Sequence, residues 1–232
     1  MDYLLRDAYF TGVTTGRYDA DQLIGALRIV EREGRPALGV DGRGVIALES
    51  FVLARYMMFA TVYFHHTTRS FERVLQEALC EIWPEPRLLD PIEEFLAWDD
   101  FRVLDALRTA KGAAAHALRD RTIVYAIAAE FNAERDLGPY EACLAALRER
   151  YGAAVWGDEQ EQLLHRLPLD HADARSVGVL TRAGVVGAAQ ASDLIARLSG
   201  RAYWRKLFVR RDDVDVAEAR RVCTETLRSL QA

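Results

Sequence analysis

Between residues 47 and 83 neither Pro nor Gly occurs, and Phe51, Ala54, Met58, Val62 and His65 recur at helical spacing. The pattern predicts one long helix, with room for a kink, ended by Pro84 and Pro86. Upstream, residues 1–10 read as a helix stopped by Thr11-Gly12, and a short second helix runs from Asp21 to about Arg28 with Asp19 placed to cap it. The period then changes. Residues 27–33 and 37–40 read as two short strands with Arg35-Pro36 between them, and Asp41-Gly42-Arg43-Gly44 follows as a tight turn, so a small hairpin is inserted between helices. Shorter helical segments follow at 92–97, 101–107, 110–118, 123–132 and 140–151. After Gly152 the chain shows short apolar segments at 153–156, 176–180 and 202–209, a short helix at 192–198 and a final one at 214–230. The expected fold is mainly α over 1–150, with the hairpin insertion, and a small α+β subdomain over 153–232. No internal repeat or low-complexity tract is present.

The first helix starts without a lead-in. A helix usually opens on Ser, Thr, Asp or Asn, and Asp2 is the only candidate here. The segment MDYLLRDAYF therefore reads like a chain entered in the middle of a structural unit.

Composition narrows the class. Half of the residues are hydrophobic and 28% are charged, which is ordinary for a globular protein. A formal charge of −5 gives no reason to expect a nucleic-acid surface, though it leaves room for a local basic pocket. Cys80, Cys143 and Cys223 lie far apart and form no paired framework, which points to a reducing compartment. The sequence shows no apolar run judged long enough for a bilayer, and Asp2, Arg6 and Asp7 do not have the order of a signal peptide. A cytoplasmic protein with no membrane partner is expected.

Two pairs carry candidate chemistry. Tyr3 and Asp7 stand at i, i+4 and share a helix face, where a phenol and a carboxylate can hold a sugar hydroxyl while the ring stacks on the sugar or base. Asp2 and Arg6 form a second i, i+4 pair on a neighbouring face. A solvated ion pair beside a half-buried tyrosine explains the same residues without function. Arg55 and Tyr63 lie just over two turns apart on the long helix. An arginine inside an apolar stretch suits a phosphate, and equally a solvent-side pairing with Glu49. His65-His66 does not make a metal pair, because adjacent helical residues diverge by about 100°. His165 and His171, with Asp170 and Asp173, leave a weak metal site conceivable near Pro168. No GxGxxG, GxxxxGK[ST] or GxSxG motif is present.

The stretch Met1-Asp2-Tyr3-Leu4-Leu5-Arg6-Asp7, followed by Gly12, Gly16-Arg17-Tyr18-Asp19 and Leu23-Ile24, resembles a segment of the HD-superfamily phosphohydrolases. The subgroup it resembles is the deoxynucleoside triphosphate triphosphohydrolases, whose segment reads approximately D-x-D-[RK]-x-D-Y-[LF]-x-R-D-x-x-x-x-G. Arg55, Tyr63 and His65 have the spacing of the same family's R-x(7)-Y-x-H pattern. Asp99-Asp100 before a short helix, and the tail at 202–209, extend the likeness over most of the chain.

The resemblance implies a helical bundle and a metal-dependent hydrolase that cleaves a dNTP into deoxynucleoside and triphosphate. The tyrosine matching Tyr3 packs on the nucleotide sugar, the aspartate matching Asp7 binds its 3′-hydroxyl, the arginine matching Arg55 contacts phosphate, and the tyrosine matching Tyr63 closes over the sugar. Asp2, Arg6 and His65 stand beside these as supporting residues. The family's divalent metal is held by histidines, a His-Asp dipeptide and a final aspartate, all of which precede the position of Met1. No catalytic residue and no bound metal are therefore expected in this chain, which reads as the C-terminal part of such an enzyme, inactive alone. Its partners would be a dNTP, a chain carrying the HD half, and further copies of itself. Helices upstream would cover Leu4, Leu5, Met57, Met58 and Phe59, so an exposed apolar patch is expected there. The alternatives are a non-catalytic nucleotide-sensing or protein-interaction module derived from the family, and an unrelated helical regulator.

Overall fold

A computed structural model describes residues 1–32, 34–83, 92–163, 177–198 and 200–231. The fold is mainly α with a C-terminal α+β part. The candidate site near Pro168, with His165, His171, Asp170 and Asp173, lies outside the described residues. Two compact units emerge, Met1–His65 with Gln160–Tyr203, and His66–Glu159 with Trp204–Ala232. The division is discontinuous and does not follow the change of composition near residue 150, because two long C-terminal strands run from one unit into the other.

In the first unit, α1 (Asp2–Thr11) has Met1 at its N-cap with no side-chain cap, and ends at Gly12 in the left-handed region with φ 74°. The second helix, α2 (Ala20–Gly25), is capped as the sequence predicts: Asp19 accepts from Gln22 N at 2.8 Å. The hairpin pairs β1 (Leu27–Arg32) with β2 (Arg35–Asp41). Arg35 and Pro36 belong to β2, opposite Arg32 and Glu31, rather than lying between the strands. A 3-10 turn, Gly42–Gly44, leads into α3 (Val45–Met58). β2 also pairs in parallel with a later strand, β5 (Gly178–Thr181), which pairs with β6 (Gly184–Gly187). Leu23, Val40, Leu48, Val179 and Ile195 form the core between this sheet and α2 and α3.

The expected single helix over 47–83 is two helices. α3 runs into a π-helical turn, Phe59–Tyr63, in which Phe64 N donates to Phe59 O at 2.9 Å, and α4 (His66–Ile82) starts after it. No Pro or Gly marks this break. The change from i+4 to i+5 bonding produces it. The stretch Gly42–Tyr63 also corrects the reading of the apolar runs: its 22 residues hold an 18-residue window of mean hydropathy 1.6, enough by length and composition alone to cross a membrane. Glu49 and Arg55 interrupt the run. Both are engaged inside the unit, Glu49 accepting from Ser192 Oγ at 2.5 Å and Arg55 donating to Tyr3. The helix buries Ala47, Leu48, Val52, Ala54 and Met58.

The second unit holds α4, α5 (Ile92–Leu96), α6 (Asp100–Thr109), α7 (Ala113–Arg119), α8 (Leu137–Tyr151) and α11 (Val216–Ser229), the short α9 (Ala188–Ala191) and α10 (Asp193–Arg197) belonging to the first. Asp99 caps α6 through Arg102 N, and Glu81 caps α7 by accepting from Ala114 N and Ala115 N. A sheet in the order β3-β7-β4 joins β3 (Tyr125–Phe131), β7 (Arg201–Arg210) and β4 (Val155–Leu163). The segment 123–132, expected as helix, is thus the strand β3. Its register shifts between Ile127 and Ala129. That bulge turns the strand over: Tyr125 and Ile127 pack with Phe208 toward α4 and α7, whereas Ala129 and Phe131 pack with Leu207 toward α8 and α11. A bulge in mid-strand erases the alternation by which strands are recognised.

Buried charges in this unit are paired. Arg69 on α4 donates Nε and Nη2 to the two carboxylate oxygens of Asp158 on β4, each at 2.7 Å. Lys206, 2% exposed, reaches Glu130 at 2.8 Å. Cys143 and Cys223, distant in sequence, meet between α8 and α11, with Cys143 Sγ 3.7 Å from Cys223 O, and all three cysteines are free thiols.

Candidate functional site

Four of the residues singled out in the sequence, Tyr3, Asp7, Arg55 and Tyr63, come together in the first unit. On α1, Tyr3 and Asp7 are one turn apart. Leu4 and Ala8 on the adjoining face bury against Met58, and so fix α1 to α3. Gly16 is required for the same junction: a Cβ there would lie 2.6 Å from Met58 Sδ and 2.9 Å from Ala8 Cβ. This packing corrects one expectation. Leu4 and Met58 are fully buried, so the predicted apolar patch does not include them. They pack on each other across the contact between α1 and α3, which local sequence does not show.

Above that junction two hydrogen bonds cross from α1 to the long helix. Arg55 Nη1 donates to the Tyr3 hydroxyl at 2.6 Å, and the Tyr63 hydroxyl donates to Asp7 Oδ2 at 2.6 Å. The rings of Tyr3 and Tyr63 lie 6.4 Å apart. Arg55 therefore takes Tyr3 as partner and not Glu49. Burial raises the Tyr63 pKa well above the ordinary phenol range, and the hydrogen bond and charge of Asp7 add to the shift. Tyr63 is a neutral donor, and Asp7 accepts from it.

The surrounding residues hold the arrangement. Tyr18 packs edge-on against Phe51, and its hydroxyl donates to Met1 O at 3.0 Å. Burial, then the nearby Asp2 carboxylate, raises its pKa. Thr15 and Thr61 hydroxyls meet at 3.2 Å. Asp2 and Arg6 form an exposed pair at 3.0 Å, a solvated i, i+4 contact. His65 follows the π turn, its N–H donating to Val62 O at 3.3 Å.

Sequence reasoning passed over Phe59. Its ring lies 4.5 Å from Arg55 Cζ and 5.1 Å from the Tyr63 ring centroid. The signal was available, since Phe59 stands four residues from each. Among the described residues no three His, Cys, Asp or Glu side chains group so as to hold a metal ion. The described residues do not fit the divalent metal implied by the resemblance.

Comparisons with known proteins follow the same lines. Residues 18–132 match the family model described as HD associated region, which relates the chain to the HD superfamily. The uncharacterized protein MJ1154 of Methanocaldococcus jannaschii is 32% identical over 111 residues, 48% of this chain and 24% of that protein. The uncharacterized protein YwfO of Bacillus subtilis is 39% identical over 79 residues, 34% of this chain and 17% of that protein. The aligned parts thus span about a quarter or less of these curated relatives. A hypothetical protein from Aquifex aeolicus has the same fold at TM-score 0.76 and 28% identity, over 95% of this chain and 55% of that one. A phosphohydrolase from Bacteroides thetaiotaomicron shares the fold at TM-score 0.59 and 21% identity, over 90% of this chain and 60% of that one.

Proposed function

We propose that this chain supplies the nucleotide grip of an HD-type phosphohydrolase acting on deoxynucleoside triphosphates. The observation that carries the reading is the crossing of the two pairs, Arg55 with Tyr3 and Tyr63 with Asp7. Four residues matching the family's sugar and phosphate contacts stand on one face, although fifty-two and fifty-six positions separate the partners. The relation to the HD superfamily supports the reading, and dNTP as substrate class comes from the motif resemblance.

Each side chain has a role its chemistry suits. Arg55 offers a planar fork of N–H donors to phosphate oxygens. Asp7 uses its carboxylate to accept a sugar hydroxyl. The Tyr3 and Tyr63 rings flank the sugar. Bound substrate would take the Arg55 N–H groups that the bond to Tyr3 leaves free, and share Asp7 with Tyr63. The family's metal polarises a phosphoryl oxygen or activates water. The described residues do not fit that ion, so this chain's share of the reaction is binding and orientation.

Titration calorimetry of the purified chain with dATP tests the proposal. The expected result is weak binding, reduced at least tenfold by Arg55→Ala, with no metal-stimulated release of triphosphate. Equal affinity in the variant removes Arg55 from the site. Turnover abolished by EDTA overturns the restriction to binding.

A further inference from the structure

Eight residues of ideal α-helix turn through roughly 80° more than two full turns, so Arg55 and Tyr63 would drift apart around a continuous helix. The π turn Phe59–Tyr63 takes more residues per turn and winds Tyr63 back toward the Arg55 face. Phe59 is the first residue of that turn, and its carbonyl accepts the i+5 bond from Phe64 N. Its ring sits between the two site residues. The Arg55 guanidinium lies over it, with Cζ 4.5 Å from the centroid, and the Tyr63 ring meets it at 5.1 Å and 63°. Phe64 closes a third side at 5.3 Å.

Core filling does not account for this side chain. Phe59 is only half-buried and is a member of none of the four apolar clusters of the described residues. Its contacts are with the cation, the phenol ring and Phe64. A guanidinium held over an aromatic face loses rotational freedom while keeping its edge N–H groups available. The bond from Nη1 to Tyr3 fixes the rotation that remains. A flexible arginine must be ordered when it binds an anion, at an entropic cost, and an arginine already held does not bear that cost again.

We infer that Phe59 is a positioning residue that holds the Arg55 guanidinium and the Tyr63 phenol in one orientation, ready for the triphosphate and sugar of a nucleotide. The ligand part of this inference rests on the proposed function, whereas the restraint on Arg55 stands by itself.

The test uses Phe59→Leu, which removes the ring, and Phe59→Tyr, which keeps it. The Arg55 Nε–Hε resonance reads the restraint directly. It should be ring-current shifted in the wild type and in Phe59→Tyr, and should move to the free-arginine position in Phe59→Leu. Calorimetry with dATP, sodium tripolyphosphate and 2′-deoxyadenosine reads the consequence. Phe59→Leu should weaken dATP and tripolyphosphate about three- to tenfold, a range set by the strength of cation–π contacts. Deoxyadenosine should weaken less, and Phe59→Tyr should restore all three to within twofold. An unshifted Arg55 resonance in the wild type overturns the inference, as does a Phe59→Leu chain that binds tripolyphosphate as tightly as the wild type. A wild-type chain that shows the shift yet binds no nucleotide upholds the restraint and removes the nucleotide reading. Should Phe59→Leu fail to fold, Phe59→Met in the same measurements decides between the same outcomes.

Discussion

Tyr63 and Asp7 are joined by a 2.6 Å hydrogen bond that ties the end of a π turn to the second turn of α1. Bonds to a charged acceptor contribute more than neutral ones, typically about 1.5–3 kcal/mol. The pair is only part-buried, so the lower end of that range applies. Tyr63→Phe should therefore lower stability by about 1.5 kcal/mol and weaken dATP binding, because Asp7 loses the donor that orients it. Because burial and Asp7 raise the Tyr63 pKa, the wild-type affinity should show no break from this phenol as the pH passes through 10, the ordinary tyrosine value. A break there that is absent from Tyr63→Phe would contradict the neutral-donor assignment.

The buried pair Arg69–Asp158 gives a second prediction. Its two 2.7 Å bonds leave Asp158 4% exposed and Arg69 13% exposed. Removing one partner of a buried pair costs up to about 3–5 kcal/mol, a loss reduced here because Glu72 also pairs with Arg69, whereas apolar replacement of both is often neutral. Asp158→Asn alone should thus lower the urea midpoint far more than the double variant Arg69→Met, Asp158→Leu. An equal or larger loss in the double variant would show that an uncompensated buried charge does not account for the loss in Asp158→Asn.

Glycines at two turns separate steric from conformational cost. Gly44 has ordinary backbone angles, φ −91°, yet a Cβ there would lie 2.3 Å from Ala26 Cβ and 2.9 Å from Val40 Cγ1. Gly12 faces open space but has φ 74°. Gly44→Ala should cost about 1–3 kcal/mol through overpacking. Gly12→Ala should cost about 1 kcal/mol through the left-handed backbone alone. Denaturation of the two variants checks both, and mild stabilisation at Gly44 would show that the hairpin base yields.

Much of this was written locally in the sequence. Thr11-Gly12 stops α1 because glycine takes the left-handed C-cap, Asp19 caps α2 with its own carboxylate, and helical spacing puts Tyr3 and Asp7 on one face of α1. What the sequence hid depends on distant partners. The strand β3 has its alternation inverted by the bulge at Ile127/Ala129, and its partner β7 lies some eighty residues on. The break after α3 has no helix-breaking residue, because a π turn needs none. Asp158 gives no local sign that it is buried, since the arginine that permits burial is 89 positions away. The pairing of Cys143 with Cys223 is equally non-local.

The last prediction concerns alkaline pH. Tyr140 on α8 is buried, and its pKa is pushed up to about 12, first by burial and then by the charges of Glu159 and Asp158. Its hydroxyl lies where a Cβ on Gly157 would approach to 2.6 Å, so the ring fits closely under β4. A phenol whose folded pKa exceeds its unfolded value near 10 ionises first in the unfolded chain. The stability linked to its neutral form is complete below pH 10 and drains away as the pH rises from 10 towards 12. The wild type alone does not isolate the effect of one group. Tyr140→Phe does: it removes only this group's titration. The difference in urea midpoint between wild type and Tyr140→Phe should be constant from pH 7 to 9 and should then shift in favour of the variant by pH 11. A difference that stays constant to pH 11 would show that Tyr140 ionises alike in the folded and unfolded chain.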